Sequence, residues 1–445
     1  MHIQEPSRPI PLIADADVIV CGGGPAGIGA ALTAARSGAK TRLLEVNGCL
    51  GGVWTAGLLS WLFEMDQPGI SQEITRELDR RGARRNVCSH STDKYAYDVE
   101  TMKLLLDEML LEAGVEVHLH TRVVTPLIQS DRIEALLTES KSGREAWTAR
   151  CFIDASGDGD LAARAGCGFD MGKPGSGAIQ PFTFMALVTV SDMEALKPFL
   201  VFTDGFKHQS FLGPTDRFCR EIQAAGVDPS YHASTLFHLR DNLCALMVNH
   251  EYNASPINER DVTRATFNGR AEVNRVVNAL RAKGGPWKDI LLVATPEQIG
   301  TREGRRIHGR YTVSAEDMRV GATHEDGICR VSYWIDVHST NPKEGKGFEG
   351  EPFKTKPYDI PLRALLSKDI ENLMMAGRCI SGDFLSHSSY RVTGVAVALG
   401  QAAGVTSALA AKTNVSPGEI SAGAVRDKLA SLFSQSPDEL TAPQD

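Results

Sequence analysis

Residues 17–45 read DVIVCGGGPAGIGAALTAARSGAKTRLLE, a strand, a glycine turn, a helix and a second strand that ends on a carboxylate. Residues 18–20 form an apolar run suited to a strand buried on both faces of a parallel sheet, and Gly22, Gly24 and Gly27 complete G-x-G-x-x-G. Gly22 allows the tight turn out of the strand. Gly24 presents no Cβ to hold a pyrophosphate off the backbone, and Gly27 lets the helix lie close to the sheet. Pro25 suits the first helical position, where no N–H is needed, and Ala26 follows it in the first turn. Small residues carry the helix to about residue 37, and Gly38 is a left-handed stop. The helix N-terminus would face phosphates with unpaired N–H groups and a positive dipole end. Residues 40–44 then deliver Glu45 where its carboxylate accepts hydrogen bonds from both adenosine ribose hydroxyls, and the same charge disfavours a 2′-phosphate. The stretch predicts the site for the ADP half of a dinucleotide.

Working outward, 445 residues suffice for a large core divided among two or three domains. Hydrophobic residues at 42% and charged residues at 23% are ordinary for a soluble globular enzyme. A net charge of −8 without a basic run argues against a nucleic-acid partner. No apolar stretch is expected to reach the roughly 18 residues of a membrane span, and the amino terminus lacks a signal pattern. Nine cysteines without C-x-x-C or metal spacing point to a reducing cytoplasm, to thiols used as small core residues, and to no metal site.

Helices are expected over residues 71–81 and 99–113, the second capped by Asp98 and stopped by Gly114. Residues 115–119 and 122–129 suit a small β meander, Val123 and Val124 included, that covers the adenine. Residues 150–155 read as a buried strand entering ASGDGD, which brings the backbone of Ser156 and Gly157 and the carboxylate of Asp158 to the carboxyl edge of the sheet. The plainer reading is a strand-to-helix turn. From residue 171 to 361 the pattern changes to aromatic-rich strand-like pieces (179–190, Phe211, 243–248) and a long helix near 260–283, the expected substrate domain. Near residue 294 the chain returns toward the cofactor with Arg302, Arg305, Arg306 and Arg310, followed by Asp336 and His338. Residues 341–357 read equally as a lid or as an insertion. Residues 373–376 look like a further strand, 377–383 a turn, and 391 onward a helix rich in small residues.

Taken together, GGGPAG with Glu45, the glycine pair in GCLGGVWTAG (48–57), FIDASGDGDLAARAG (152–166), REGRR, the DVH triplet, AGRCISGD and GQAAG resemble the FAD_oxidored family of FAD-dependent oxidoreductases, within the glutathione reductase-like flavoprotein fold. The resemblance implies an α/β fold. Residues 1–170 and 362–445 would form a Rossmann-like FAD-binding domain with a parallel sheet and a helical excursion at 60–98. Residues 171–361 would be mainly an inserted α+β substrate domain, with 294–312 returning to the cofactor. It implies FAD rather than NAD. The backbone of Val392, Thr393 and Gly394 would meet the negative charge of the reduced ring, since a helix N-terminus stabilises it without reorganisation. Gly382 and Asp383 would face the ribityl or pyrophosphate portion. Gly51 and Gly52 would let the backbone pass the ring, with Thr55 near its reactive edge.

Because the flavin itself carries the hydride, the protein contributes orientation and proton handling. His387, just before the final helix, and His338, in the DVH triplet, are the candidate bases; each has a plain reading as a core or surface hydrogen-bonding residue. Arg391 and Arg305 would bind a substrate carboxylate or stabilise an oxyanion, and for Arg305 a structural ion pair between domains is the equal alternative. Cys49, beside Gly51, would allow a flavin thioether or a redox role, although a small buried thiol is the preferred reading. The expected activity is hydride transfer between flavin and a small organic substrate: an alcohol, hydroxy acid, sugar derivative or activated C–C bond. The alternatives are a non-redox flavin-dependent lyase or isomerase, and a thiazole-synthase-like or nucleic-acid-modifying flavoprotein. One dinucleotide fingerprint leaves oxygen, a quinone or another protein as the electron acceptor, and a homo-oligomer remains open.

Overall fold

The structure is a computed structural model and describes residue 3 and residues 7–86, 94–201 and 212–434. Cys88 and Phe211 lie outside the described residues. Strand β1 (Leu12–Cys21) pairs in parallel with β2 (Thr41–Leu44), and β2 in turn with β3 (Glu116–His118). Strands β4 (Arg122–Gln129) and β5 (Arg132–Ser140) form an antiparallel pair that continues into β6 (Gly143–Asp154). The last half of β6 is central: it pairs in parallel with β1 on one side and with β7 (Leu373–Met375) on the other. This is an α/β fold with a Rossmann-like parallel sheet, and its central strands read as continuous apolar runs because both of their faces are buried.

Two sequence expectations change here. Residues 116–118 do not join the meander: the helix Val99–Glu112 crosses over and returns the chain parallel to β2. The meander is β4, β5 and the first half of β6, so β6 starts at residue 143 rather than 150. One 12-residue strand serves the half-exposed meander first and the buried sheet afterwards.

Helix α1 (Pro25–Arg36) follows β1, as the glycine turn requires. Helix α2 (Phe384–Tyr390) precedes α3 (Thr393–Thr413), which packs along α1. The contact is backbone to backbone: a Cβ on Gly400 would collide with the Ala26 carbonyl, and one on Gly404 with the Ala30 carbonyl. Residue numbers rise together along both helices, so the two run parallel and their N-termini share one end. By length and composition α3 could cross a membrane, which corrects the expectation that no stretch is long enough; 94% of the window that passes this test is buried inside the protein.

A second sheet, in the order Leu200–Val201, Thr235–Arg240, Leu243–Met247, Ala186–Thr189, Leu291–Ala294, lies over the first body. Its period-2 alternation divides two cores. Leu236, Cys244, Leu246 and Val188 pack with Val273, Val276 and Leu280 of the helix Glu259–Lys283. Phe237, Leu239, Ala245 and Leu187 face the other way, into the core that contains α1 and α3. Residues 341–357 fold back on the site: Ser339 N–H donates to the Gly347 carbonyl at 2.9 Å, Glu349 N–H to the Val337 carbonyl at 2.8 Å, and Lys346 pairs with Asp228 at 2.6 Å.

Candidate active site

A cavity of about 680 Å³ runs between the two layers. Gly22, Gly24, Pro25, Ala26 and Glu45 line one end, Val123 and Arg122 one wall, and Ser156, Gly157, Gly377 and Arg378 the carboxyl edge of the sheet. Gly52, Val392, Thr393 and Ala396 line its middle. Met185, Phe237 and Met247 of the second sheet form its roof, and Tyr231, Arg302, Asp336, His338 and Arg391 its far end.

The glycine end is built by the turn. Gly22 takes φ +107°, and a Cβ on Gly27 would collide with the Gly22 carbonyl. Gly24 caps α1 at φ −72°, and a Cβ there would meet nothing within 4 Å. Glu45 is buried and accepts from Gly23 N–H at 2.5 Å and from Asn47 N–H at 2.8 Å. Burial raises its pKa against those hydrogen bonds. The second glycine turn is held by Asp154, fully buried, which accepts from the Ser156 N–H and hydroxyl at 3.0 and 2.7 Å and from Ala162 N–H at 2.8 Å.

Several residues expected at the cofactor do not line the cavity, Gly27 among them, whose expected part is the close approach of helix to sheet. Gly27 and Gly51 shape the backbone behind the cavity, and the Thr55 hydroxyl donates to the Leu50 carbonyl. Val124 falls in an irregularity of the β4–β5 pairing, off the lined wall. Asp158 pairs with Arg378 at 3.2 Å, and burial pushes its pKa up to about 6. The Gly382 carbonyl accepts from Arg306 Nε at 3.2 Å. Asp383 caps α2 by accepting from Ser386 N–H at 2.7 Å and also accepts from Ala315 N–H at 2.6 Å. Gly394 lies against the Glu64 carbonyl. The residues at the cavity are instead Gly377 and Arg378, which follow β7 directly as Ser156 and Gly157 follow β6. That strand-then-glycine position was the available signal.

The catalytic candidates divide in the same way. Arg305 donates to the Asp158 carbonyl at 2.8 Å and to Asp160 Oδ1 at 2.9 Å, with its guanidinium over Phe169, so it is the structural ion pair of the two readings. His387 is fully buried beside Tyr390 and off the cavity; burial first, then the Arg306 charge, hold its pKa well below the usual value. Cys49 lies off the cavity as well, its thiol 3.6 Å from the Thr55 hydroxyl and its pKa raised by burial.

His338 and Arg391 do line the cavity. Arg391 Nη2 donates to Asp336 Oδ2 at 3.0 Å and to the Asp336 carbonyl at 2.7 Å, and His338 Nε2 lies 3.3 Å from Asp336 Oδ1. The His338 N–H donates to Gln180 Oε1 at 3.0 Å, and Gln180 Nε2 donates to the Ser388 hydroxyl at 3.1 Å, which fastens this loop to α2. Burial, and after it the Arg302 charge, hold the His338 pKa down at about 3, so the imidazole is neutral at pH 7. Burial acts to raise Asp336, but His338, Arg391 and Arg302 outweigh it and keep that carboxyl below its usual range. Sequence reasoning missed Tyr231, Trp334 and Phe348 in this wall, since nothing local marks an aromatic as cavity-facing.

Two parallel helix N-termini, a glycine-lined cavity and an acidic β2 end define a dinucleotide-binding α/β protein. The chain belongs to the FAD dependent oxidoreductase family, which it matches over residues 17–429. FAD is accordingly its cofactor, and the cavity passes a fit test: Gly24 leaves space that a side chain would fill, and no acidic residue occupies the first turn of either helix. No curated protein sequence matches the chain. Similar solved structures include a geranylgeranyl bacteriochlorophyll reductase-like protein from Thermoplasma acidophilum, 14% identical, covering 94% of this chain and 84% of that one, with TM-score 0.47. Another is p-nitrophenol 4-monooxygenase from Pseudomonas putida DLL-E4, 11% identical over 96% and 92%, with TM-score 0.43. A third is a myxobacterial chondrochloren halogenase, 12% identical over 94% and 79%, with TM-score 0.44.

Proposed function

We propose that this flavoenzyme dehydrogenates a small organic substrate at a carbon bearing an O–H or N–H group, with His338 as the base. Bound FAD supplies the two-electron acceptor for the hydride. As the substrate C–H and O–H (or N–H) bonds break and a C=O (or C=N) bond forms, the hydride would pass to that acceptor and the proton to the His338 imidazole. Asp336 Oδ1 lies 3.3 Å from Nε2, where its negative charge would steady the imidazolium formed on proton uptake. Arg391 keeps Asp336 ionised and adds positive charge beside the α3 N-terminus, where negative charge develops. The low proton affinity of His338 rises when an anionic group cancels the nearby guanidinium charge, so substrate binding itself would prepare the base.

The observation that carries this reading is that His338 and Arg391 line the same cavity as Gly24 and Thr393. Oxygen, a quinone or a partner protein completes the cycle. The eight cysteines among the described residues are unpaired, which supports a reducing, cytoplasmic setting. The test is anaerobic mixing of the yellow enzyme with alcohols and hydroxy acids. Lasting loss of the visible flavin band, restored by an acceptor, is the expected result. Product formation without that loss would replace the proposal with flavin-dependent lyase or isomerase chemistry.

A further inference from the structure

We infer that the substrate is a monocarboxylate with an apolar, aromatic-sized body, and that Arg302 is the residue that selects it. The inference rests on the dehydrogenase reading only for what happens after binding.

Three guanidiniums stand at the inner part of the cavity, and two of them hold a carboxylate: Arg378 pairs with Asp158 and Arg391 with Asp336. Arg302 holds none among the described residues. Its Nη1 donates to the Pro181 carbonyl at 2.7 Å and to the Thr183 hydroxyl at 2.6 Å, two neutral acceptors that fix the plane of the guanidinium. The remaining donors stay available on a residue that lines the cavity. Around it, His338 is neutral, and so is His250, whose pKa burial and then Arg302 hold well below the usual value. Asp336 balances Arg391. One positive charge is therefore left over in a desolvated site, a costly arrangement that a single negative charge from a ligand relieves. A phosphate dianion would overshoot it, whereas a carboxylate matches it and accepts a guanidinium fork in bidentate fashion.

A second, independent group points to the same ligand. The Tyr231 hydroxyl is fully buried, has no hydrogen-bond partner among the described residues and belongs to a side chain that lines the cavity. Its ring packs against His250 at 4.0 Å between centroids. A buried donor without a partner costs free energy that a ligand oxygen recovers. The apolar body would lie against Phe348 and Trp334, whose rings meet at 5.8 Å and line the same end.

The experiment uses the FAD-loaded full chain and two carboxylates, benzoate and phenylacetate, against neutral isosteres, benzamide and benzyl alcohol. Binding is read from the shift of the flavin spectrum and, separately, from the thermal midpoint. The carboxylates are expected to bind at least tenfold more tightly than their isosteres. Arg302→Met is expected to weaken them about 10- to 100-fold, with partial recovery in Arg302→Lys. Flavin content and circular dichroism confirm that each variant is folded, and Arg302→Lys keeps the assay decisive if Arg302→Met is not. Equal binding of benzoate and benzamide, or unchanged benzoate affinity in folded Arg302 variants, would overturn the inference. The enzyme reading fails separately: carboxylate binding that depends on Arg302, with no hydroxy acid able to bleach the flavin, removes the dehydrogenase proposal and leaves the carboxylate site standing.

Discussion

At Gly24 the backbone takes φ −72° and ψ −176°, angles open to any residue, and a Cβ there meets no protein atom within 4 Å. Gly24→Leu should therefore fold and melt like the parent apoprotein yet purify colourless, because the new side chain occupies the phosphate path; a yellow variant at full flavin content would refute that assignment. Glu45→Arg should also lose FAD, but less cleanly, since the carboxylate anchors the Gly23 and Asn47 N–H groups as well. His338→Gln should keep the flavin and lose about 10²- to 10⁴-fold in turnover, the usual contribution of a general base. His387→Gln should retain turnover, as the imidazole lies off the cavity. Rapid flavin reduction measured in both variants separates the two histidines, and the opposite ranking would restore His387.

At the scale of elements, the parallel pair α1 and α3 brings two positive dipole ends to one cavity, and it depends on backbone approach at Gly400 and Gly404. Gly404→Val forces the helices apart and should cost about 1–3 kcal/mol, or more, of unfolding free energy, with weakened flavin retention, measured by urea denaturation and flavin release. Asp383 belongs to the same region but works as a cap. Asp383→Ala should lose about 0.5–2 kcal/mol of stability while keeping its flavin, and a colourless but stable protein would instead place that carboxylate at the cofactor.

For the whole molecule, the buried histidines set the response to acid. His338, His250 and His387 all have folded pKa values below the ordinary imidazole value of about 6.5. Below that pH the unfolded chain binds protons that the native chain does not. Stability therefore falls as pH drops from about 6.5, by about 1.4 kcal/mol per pH unit for each such group. Asp158 and Glu45, raised by burial, act in the opposite sense over their own window, so the comparison has to be differential. Denaturation of the parent and of His387→Leu at pH 7, 6 and 5 should show a gentler acid slope in the variant. Parallel slopes would mean that His387 is protonated in the native state.

The local pattern of residues 17–45 was sufficient for the class of fold, for the turn at Gly22 to Gly27 and for Glu45 at the strand end, because each depends on neighbours within about one βαβ unit. The same holds for Asp98 as a helix cap, whose carboxylate accepts from Thr101 N–H at 2.8 Å. What only the tertiary structure decided is which of two histidines meets the cavity, why Arg378 rather than Asp383 lines it, and that Arg302 and Tyr231 reach it from loops that flank the second sheet. Those assignments depend on the packing of α2, on β7 docking beside β6, and on where the loops beside the second sheet come to rest. None of these leaves a periodic trace in the chain, since they are set by contacts between segments a hundred or more residues apart.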